Sequence, residues 1–485
     1  MSQTQTDVSQ DFPAESEAQY QAFVRALKRR RGFGLMFVRC SPAEGKQLIA
    51  RVRKDISQKR IDVLSLEEPI DNLYDIIKGL LHKDKLDILF ITGIEKSLVD
   101  YIKPGIGGEG DYYKMDTVPR ILGHLNLQRE RFRDDFKICF VFLLPKFALK
   151  YFIRRAPDFF DWRSGVMEFA TNPELVEQES SRIVQEGDYE EYLKLTPQER
   201  NQKVFEIIEL LEEEYQTLER KAELLWEQGR LFGAGNEYEE AIASYDKALE
   251  IKPDYHEAWN NRGNALRNLG RLEEAIASYD KALEIKPDYH LAWNNRGYAL
   301  GELGRLEEAI ASFDKALELK PDYHNAWYNR GYALRNLGRL EEAVASYDKA
   351  LELKPDYHNA WYNRGIALRN LGRLEEAVAS LDKALELKPD KHEAWNNRGY
   401  ALYDLGRLEE AVASLDKALE IKPDKHEAWY GKACCYALQG NVDLAINNLQ
   451  QAILLNPDQC REWAKTDSDF DSIRQDGRFQ ALIDG

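Results

Sequence analysis

HEAWNNRGNALRNLGRLEEAIASYDKALEIKPDY, residues 256–289, returns almost letter for letter from residues 290, 324, 358, 392 and 426, and a weaker copy begins at Ala222. The period of 34 residues is marked by Trp259, Trp293, Trp327, Trp361, Trp395, Trp429 and Trp463. A fixed period of about 20 to 50 residues describes a unit that cannot bury its apolar face alone and must stack on its neighbours. The second half of the chain is therefore predicted to be a solenoid, an architecture whose extended concave surface binds other molecules.

Inside one unit, Trp293, Gly297 and Leu300 fall on one face of a first helix, and Ala309, Phe313 and Ala316 on one face of a second. Small Gly297 and Ala309 allow a close approach that Trp293 and Phe313 fill from the side. Gly304 and Pro321 end the two helices. Asp322 is placed to cap the next helix, and Asp254 with Glu257 has capping-box spacing. These residues stand at places 4, 8, 11, 20, 24, 27 and 32 of the unit, a pattern that resembles the tetratricopeptide repeat. The resemblance implies seven helical hairpins over residues 222–459 in a superhelix. Residues 460–485 read as a closing cap, with Phe470, Ile473, Phe479 and Leu482 set among charges.

The same resemblance implies that the first helices line the concave surface and that places 2, 5, 6, 9, 12 and 13 face inward. Place 6 is Asn261, Asn295, Asn329, Asn363 and Asn397 in consecutive units. An amide side chain both donates and accepts, so it can pair with the two groups of a peptide unit. Helices pack ~8 to 10 Å apart and an extended chain rises ~3.3 Å per residue, so one asparagine would meet about every third ligand residue. The row resembles the asparagine ladder in the repeat arms of O-linked N-acetylglucosamine transferases, which grip peptide main chains. Its plain alternative is one solvated helix residue copied by duplication. Tyr328, Tyr362 and Tyr430 at place 5, Tyr298, Tyr332 and Tyr400 at place 9, and Arg267, Arg335 and Arg369 at place 12 complete a polar and aromatic groove. Packing between neighbouring first helices would use the same tyrosines.

Two other readings of the repeats are excluded. Histidines open six successive first helices, but imidazoles one helix spacing apart cannot share an ion whose ligands each approach to ~2 Å. The chaperone carboxylate clamp needs cations where this chain has Asn260, Asn325 and Asn329. Arg262, Arg296, Arg330, Arg364 and Arg398 at place 7 are expected to lay their stems on helix surface and pair with a carboxylate.

Ahead of the repeats, apolar runs at residues 33–40, 61–66, 86–92 and 137–144 alternate with helical patterns at 44–56, 70–82 and 118–132. This alternation predicts a parallel α/β sheet over residues 12–170, with ligands expected at the strand C-terminal ends. There Gly45 and Lys46 form the only trace of a phosphate-binding loop. Cys40 stands where its first glycine belongs and Gln47 where its hydroxyl residue belongs. The strand ending at Thr92 and Gly93 offers no aspartate for a metal, Glu95 being the nearest carboxylate. LNLQRERFRDDFKICFVFLLPKFALKYFIRRAPDFFDWRSGVMEF, residues 125–169, resembles the nucleotide-binding region of bacterial STAND-type signalling proteins in a branch with eroded ATP motifs. That resemblance implies a docking role for a second protein, an effector of protease type, in defence or cell-death signalling. Residues 171–221, with 14 acidic and 6 basic residues, read as an acidic hinge and connecting helix, or as a solvated spacer.

Net charge is −17 overall but about +4 over residues 1–170, so the acidity lies in the rest of the chain and no nucleic-acid face is expected. The run Lys28 to Arg31 is short enough to be a helix end. MSQTQTDVSQDFP lacks the pattern of a secretory signal, residues 1–11 read as a disordered tail, and no apolar run reaches the ~20 residues of a spanning helix. A cytoplasmic protein is expected, and its five cysteines, without CxxC spacing, suit packed thiols. His82 and His124 lie in no recognisable catalytic context. The sequence thus predicts a non-enzymatic adaptor or sensor with no cofactor, metal, membrane or nucleic acid. A nucleotide-gated switch and a homo-oligomeric scaffold are the alternatives.

Overall fold

A computed structural model describes residues 14–40, 42–98, 101, 118–169, 173–213 and 216–484. The expected tail, 1–11, lies outside the described residues. The chain forms two compact units, one up to Leu269 and one from Gly270.

In the first unit, β1 (Gly34–Arg39), β2 (Ile61–Ser65), β3 (Ile88–Thr92), β4 (Cys139–Leu144) and β5 (Gly165–Glu168) make a sheet of order β2-β3-β4-β1-β5, in which every pairing is parallel. Alternate residues feed two cores. Leu35, Phe37, Leu89, Ile91, Phe140 and Phe142 pack against α3 (Leu73–Gly79), α4 (Arg120–Asp135), α5 (Lys146–Arg155) and α6 (Pro157–Phe160). Met36, Val38, Ile88, Phe90, Val141 and Leu143 face α1 (Ala14–Arg29) and α2 (Pro42–Asp55). Burial on both faces explains why β4 reads CFVFLL with no polar alternation. The chain leaves β1 for the far edge at β2 and then works back, so the helices after the adjacent strands β1 and β4 lie on opposite faces. Such a switch point opens a crevice at the strand C-terminal ends.

The four expected strands are present, and β5 is an addition. It is a four-residue edge strand, GVME, whose residues alternate between partly buried and exposed, so it shows no apolar run. Lys28 and Arg29 do close α1.

Residues 171–221 differ from the expected hinge. The described residues among them fold into α7 (Pro173–Glu186), α8 (Tyr189–Lys194), α9 (Pro197–Leu211) and the start of α10 (Leu218–Ala234). The acidic composition hid an apolar stripe: Val176, Tyr192, Val204, Phe205 and Ile207 are buried, and Phe205 stacks on Phe147 of α5 at 4.5 Å between centroids. The connecting helix is also interrupted, because Thr217 leaves the helical conformation and caps α10 through the Arg220 N–H at 3.1 Å. The Tyr192 hydroxyl donates to the buried Glu227, which also pairs with Arg230 at 2.6 Å, so α8 is anchored on α10. The first unit continues through α11 (Tyr238–Ile251) and α12 (His256–Asn268).

The second unit opens with α13 (Leu272–Ile285) and continues as paired helices. Their first members are α14 (His290–Glu302), α16 (His324–Asn336), α18 (His358–Asn370), α20 (His392–Asp404) and α22 (His426–Leu438). Their second members are α15 (Leu306–Leu319), α17 (Leu340–Leu353), α19 (Leu374–Leu387), α21 (Leu408–Ile421) and α23 (Val442–Leu455). Ala309, Phe313 and Ala316 are buried, and a Cβ on Gly297 would meet the Phe313 ring at 2.7 Å, which fixes glycine at that place. Gly304 takes φ +77 at the turn between the two helices.

The expected aspartate caps are not formed. The N-cap of α16 is Tyr323, and Asp322, one residue further out, contributes its backbone carbonyl to the His324 N–H at 3.1 Å. Asp254 is displaced in the same way, since Tyr255 is the N-cap of α12. The junction is instead tied by tryptophan: Trp293 Nε1 donates to the Pro287 carbonyl at 2.9 Å, and Trp327 repeats the bond to Pro321. Arg296 at place 7 pairs with Asp280 at 2.6 Å and donates to Ser312 at 2.8 Å.

The closing segment folds as α24 (Pro457–Thr466), a short 3-10 turn (Ser468–Phe470) and α25 (Gly477–Asp484). Phe470, Ile473 and Phe479 are buried in a cluster that includes Ala433 and Leu449. Among the described residues no helix is long and apolar enough to cross a membrane.

Candidate functional site

In the second unit the ladder asparagines bond across helices. Asn329 Nδ2 donates to Asn294 Oδ1 at 3.2 Å, and Asn363 Nδ2 donates to the Tyr328 hydroxyl at 3.0 Å and to the Asn359 carbonyl at 3.1 Å. Asn397 Nδ2 repeats this pattern with the Tyr362 hydroxyl at 3.1 Å and the Glu393 carbonyl at 2.9 Å. Asn295 Oδ1 accepts from Asn294 at 3.3 Å. These bonds satisfy amides that would otherwise need water, and those from Asn329, Asn363 and Asn397 to Asn294, Tyr328 and Tyr362 lock successive first helices in register. Asn363 is 6% exposed and also accepts from Arg335 Nη1 at 2.7 Å, so its amide is committed within the protein.

The tyrosines divide into two kinds. Tyr328 and Tyr362 are partly buried, and burial raises both phenol pKa values. Tyr298 and Tyr332 are 42% and 46% exposed. Arg335 lies over the Tyr332 ring at 5.0 Å. Further along, Arg369 pairs with Asp404 at 2.6 Å and lies over Tyr400, whose hydroxyl donates to the Glu427 carbonyl at 2.7 Å. Asn261 and Arg267 belong to α12 in the first unit, where Asn261 Oδ1 accepts from Asn260 at 3.2 Å. Sequence reasoning missed Lys391, which donates to Asn359 Oδ1 at 2.9 Å and lies over Tyr362 at 4.4 Å. The signal was the change from Tyr289, Tyr323 and Tyr357 to Lys391 at the last place of the unit.

The first unit holds a cavity of about 340 Å³ at the switch point between β1 and β4, lined by Arg39, Cys40, Lys46 and Lys146. Gly45 and Lys46 lie inside α2, which begins at Pro42, so no loop of backbone N–H groups precedes them. A Cβ on Gly45 would meet Leu143 at 3.2 Å, which shows this turn packed down on β4. Carboxylates from α9 and the residues after it take the cations: Arg39 pairs with Glu213 at 2.8 Å and Lys146 with Glu212 at 2.5 Å. Glu209 accepts the Phe147 N–H at 3.4 Å at the start of α5. Burial pushes Glu209 up to about 8 and also raises Glu206 and Glu95. Lys46 is exposed, whereas Arg39 and Lys146 on the same cavity are paired with carboxylates.

Comparison with known proteins places the repeats. A model of the tetratricopeptide repeat matches residues 219–290, 294–358 and 362–426, and a second model of the same repeat matches 402–466. The chain carries tetratricopeptide repeats over this region. An uncharacterized protein of Methanocaldococcus jannaschii is 40% identical over 52 residues, which are 11% of this chain and 60% of that relative's length. Among solved structures, YrrB, described as a TPR protein with an unusual peptide-binding site, is 29% identical over 39% of this chain and 98% of its own, with a TM-score of 0.36. PilW, described as a widely conserved type IV pilus biogenesis factor, is 25% identical over 43% of this chain and 96% of its own, with a TM-score of 0.40.

Proposed function

We propose that this chain is a non-enzymatic adaptor whose repeats hold an extended peptide or partner protein on the stripe of first helices, while the α/β domain docks a second protein. The observation that carries the reading is the exposure of Tyr298 and Tyr332 on that stripe beside Arg335. Tyrosine and arginine contribute disproportionately to binding energy at interfaces. The ladder asparagines then serve the groove by fixing its shape, and those with remaining capacity contact the ligand.

Docking, rather than hydrolysis, suits the first unit because carboxylates hold Arg39 and Lys146, two cations of its strand-end cavity. The resemblance of residues 125–169 to eroded STAND-type domains adds a context, a defence or cell-death pathway with an effector of protease type as the second partner. The test uses the full chain and Tyr298→Ala/Tyr332→Ala as baits in lysate of the native host, with retained polypeptides quantified by mass spectrometry. Loss of specific polypeptides from the variant, at unchanged helical circular dichroism, is expected. An identical set on both baits would remove the groove from the account.

A further inference from the structure

The chain already holds one acidic segment of its own on this stripe. The Tyr430 hydroxyl, at place 5 of α22, donates to Asp467 Oδ2 at 2.9 Å, and the Tyr403 hydroxyl, at place 12 of α20, donates to Asp469. Cys434, at place 9, points its thiol at the same Asp467 oxygen at 3.7 Å, and the Phe470 ring meets Tyr430 edge-on at 5.7 Å. Inward places 5, 9 and 12 at the end of the repeats are thus occupied by residues 467–473, TDSDFDSI without its first residue, through two carboxylates and one aromatic ring.

Upstream, place 5 is taken by the next repeat, since Asn363 and Asn397 donate to the Tyr328 and Tyr362 hydroxyls, and place 12 carries positive charge. No carboxylate occupies an inward place of α16 or α18, although the chain carries −17 overall, and place 12 is Arg335 in one and Arg369 in the other. Arg369 has Asp404. Arg335 donates to the neutral Asn363 and Asn336 and Lys391 to the neutral Asn359, and neither makes an ion pair within 4.0 Å among the described residues. Both cations flank the Tyr362–Asn363 step, with Lys391 over the Tyr362 ring and Arg335 bonded to Asn363. Tyr332 stands exposed next to Arg335.

Resting on the groove reading above, we infer that α16, α18 and Lys391 receive an acidic, extended segment of a partner protein that carries carboxylates and an aromatic residue, the side-chain types that the chain's own Asp467, Asp469 and Phe470 bring to Tyr430 and Tyr403. Charge-assisted hydrogen bonds to Arg335 and Lys391 select the carboxylates, and Tyr332 offers its ring to the aromatic side chain.

The test is fluorescence anisotropy of full-length protein with two labelled peptides, TDSDFDSI and its amide counterpart TNSNFNSI. The acidic peptide is expected to bind at least tenfold more tightly, with an advantage that shrinks as salt rises and vanishes in Arg335→Gln/Lys391→Gln. Equal binding of the two peptides, both weakened by Tyr298→Ala/Tyr332→Ala, would overturn the acidic preference and leave the groove reading standing. Preference for the acidic peptide that survives Arg335→Gln/Lys391→Gln but is lost in Tyr430→Phe would mean exchange with the chain's own segment, and would also overturn it. Failure of both peptides to bind would overturn it as well, while the lysate comparison judges the groove separately.

Discussion

Arg335 donates to Asn363 Oδ1 at 2.7 Å, and the same asparagine donates to the Tyr328 hydroxyl at 3.0 Å, so three side chains of two consecutive repeats share one buried amide. A residue that reads in the sequence as a rung for a ligand is here a joint between helices. The distinction separates the ladder positions by experiment.

Asn363→Ala removes hydrogen bonds to Arg335, Tyr328 and the Asn359 carbonyl at a site only 6% exposed. A net loss of about 2 kcal/mol is expected, since each such bond contributes roughly 1 kcal/mol and partners left in the interior cost more. Asn397→Ala, at a more exposed joint with no arginine on its oxygen, should cost roughly half as much. Urea unfolding of the two variants beside the parent chain measures the difference; equal costs would contradict the assignment.

Glu209 ties α9 to the start of α5 and its carboxyl is pushed up to about 8 by burial, from an ordinary value of 4.5. A carboxyl whose folded pKa is raised holds its proton in the folded state where the unfolded chain has lost it. Stability from this group therefore falls as pH rises from about 4.5 to about 8 and is lowest above that. Glu209→Gln keeps an acceptor for the Phe147 N–H and should flatten the fall. Urea midpoints at pH 5.5, 7 and 8.5 measure it, and a parent chain that gains stability toward pH 8.5 through this group would contradict the burial.

Gly187 sits in the turn between α7 and α8, where a Cβ would meet Glu227 Oε1 at 2.5 Å. Gly187→Ala must push aside a buried carboxylate held by Tyr192 and Arg230. A cost of about 3 kcal/mol is expected, the scale of a disrupted buried ion pair. Limited proteolysis should then cut between residues 186 and 197, which the parent chain protects. A variant as resistant as the parent would show that α8 does not depend on this contact.

Calorimetry with ATP and with ADP, with and without magnesium, should give no heat, because Glu212 and Glu213 hold Lys146 and Arg39 and Lys46 stands within a helix. Heat abolished by Lys46→Ala would restore the nucleotide-gated alternative.

The repeats were legible because one physical requirement is written many times: Gly297, Ala309, Phe313 and Gly304 each have a single role, and the period repeats it. The parallel sheet was legible from strands buried on both faces. Three features were not. The edge strand GVME has no apolar run, the helices α7 to α9 hide a narrow apolar stripe in a segment, 171–221, that carries 14 acidic residues, and the Asp322 cap failed by one residue of turn geometry. At the groove, residue type and place were readable, whereas hydrogen bonding between repeats was not, because it joins residues 28 to 35 apart in sequence. Lys391 escaped notice for a related reason, its partners Asn359 and Tyr362 lying at the opposite end of its own unit.

The central claim is that the stripe carrying Tyr298 and Tyr332 touches a partner. Placing a photo-crosslinking benzoyl-phenylalanine at position 332, and for comparison at Lys349, whose side chain is 54% exposed on α17, tests it in the native host. The account predicts discrete polypeptide adducts from position 332 and none of the same mass from position 349. Adducts of equal yield and identity from both positions, or none from 332, would contradict it.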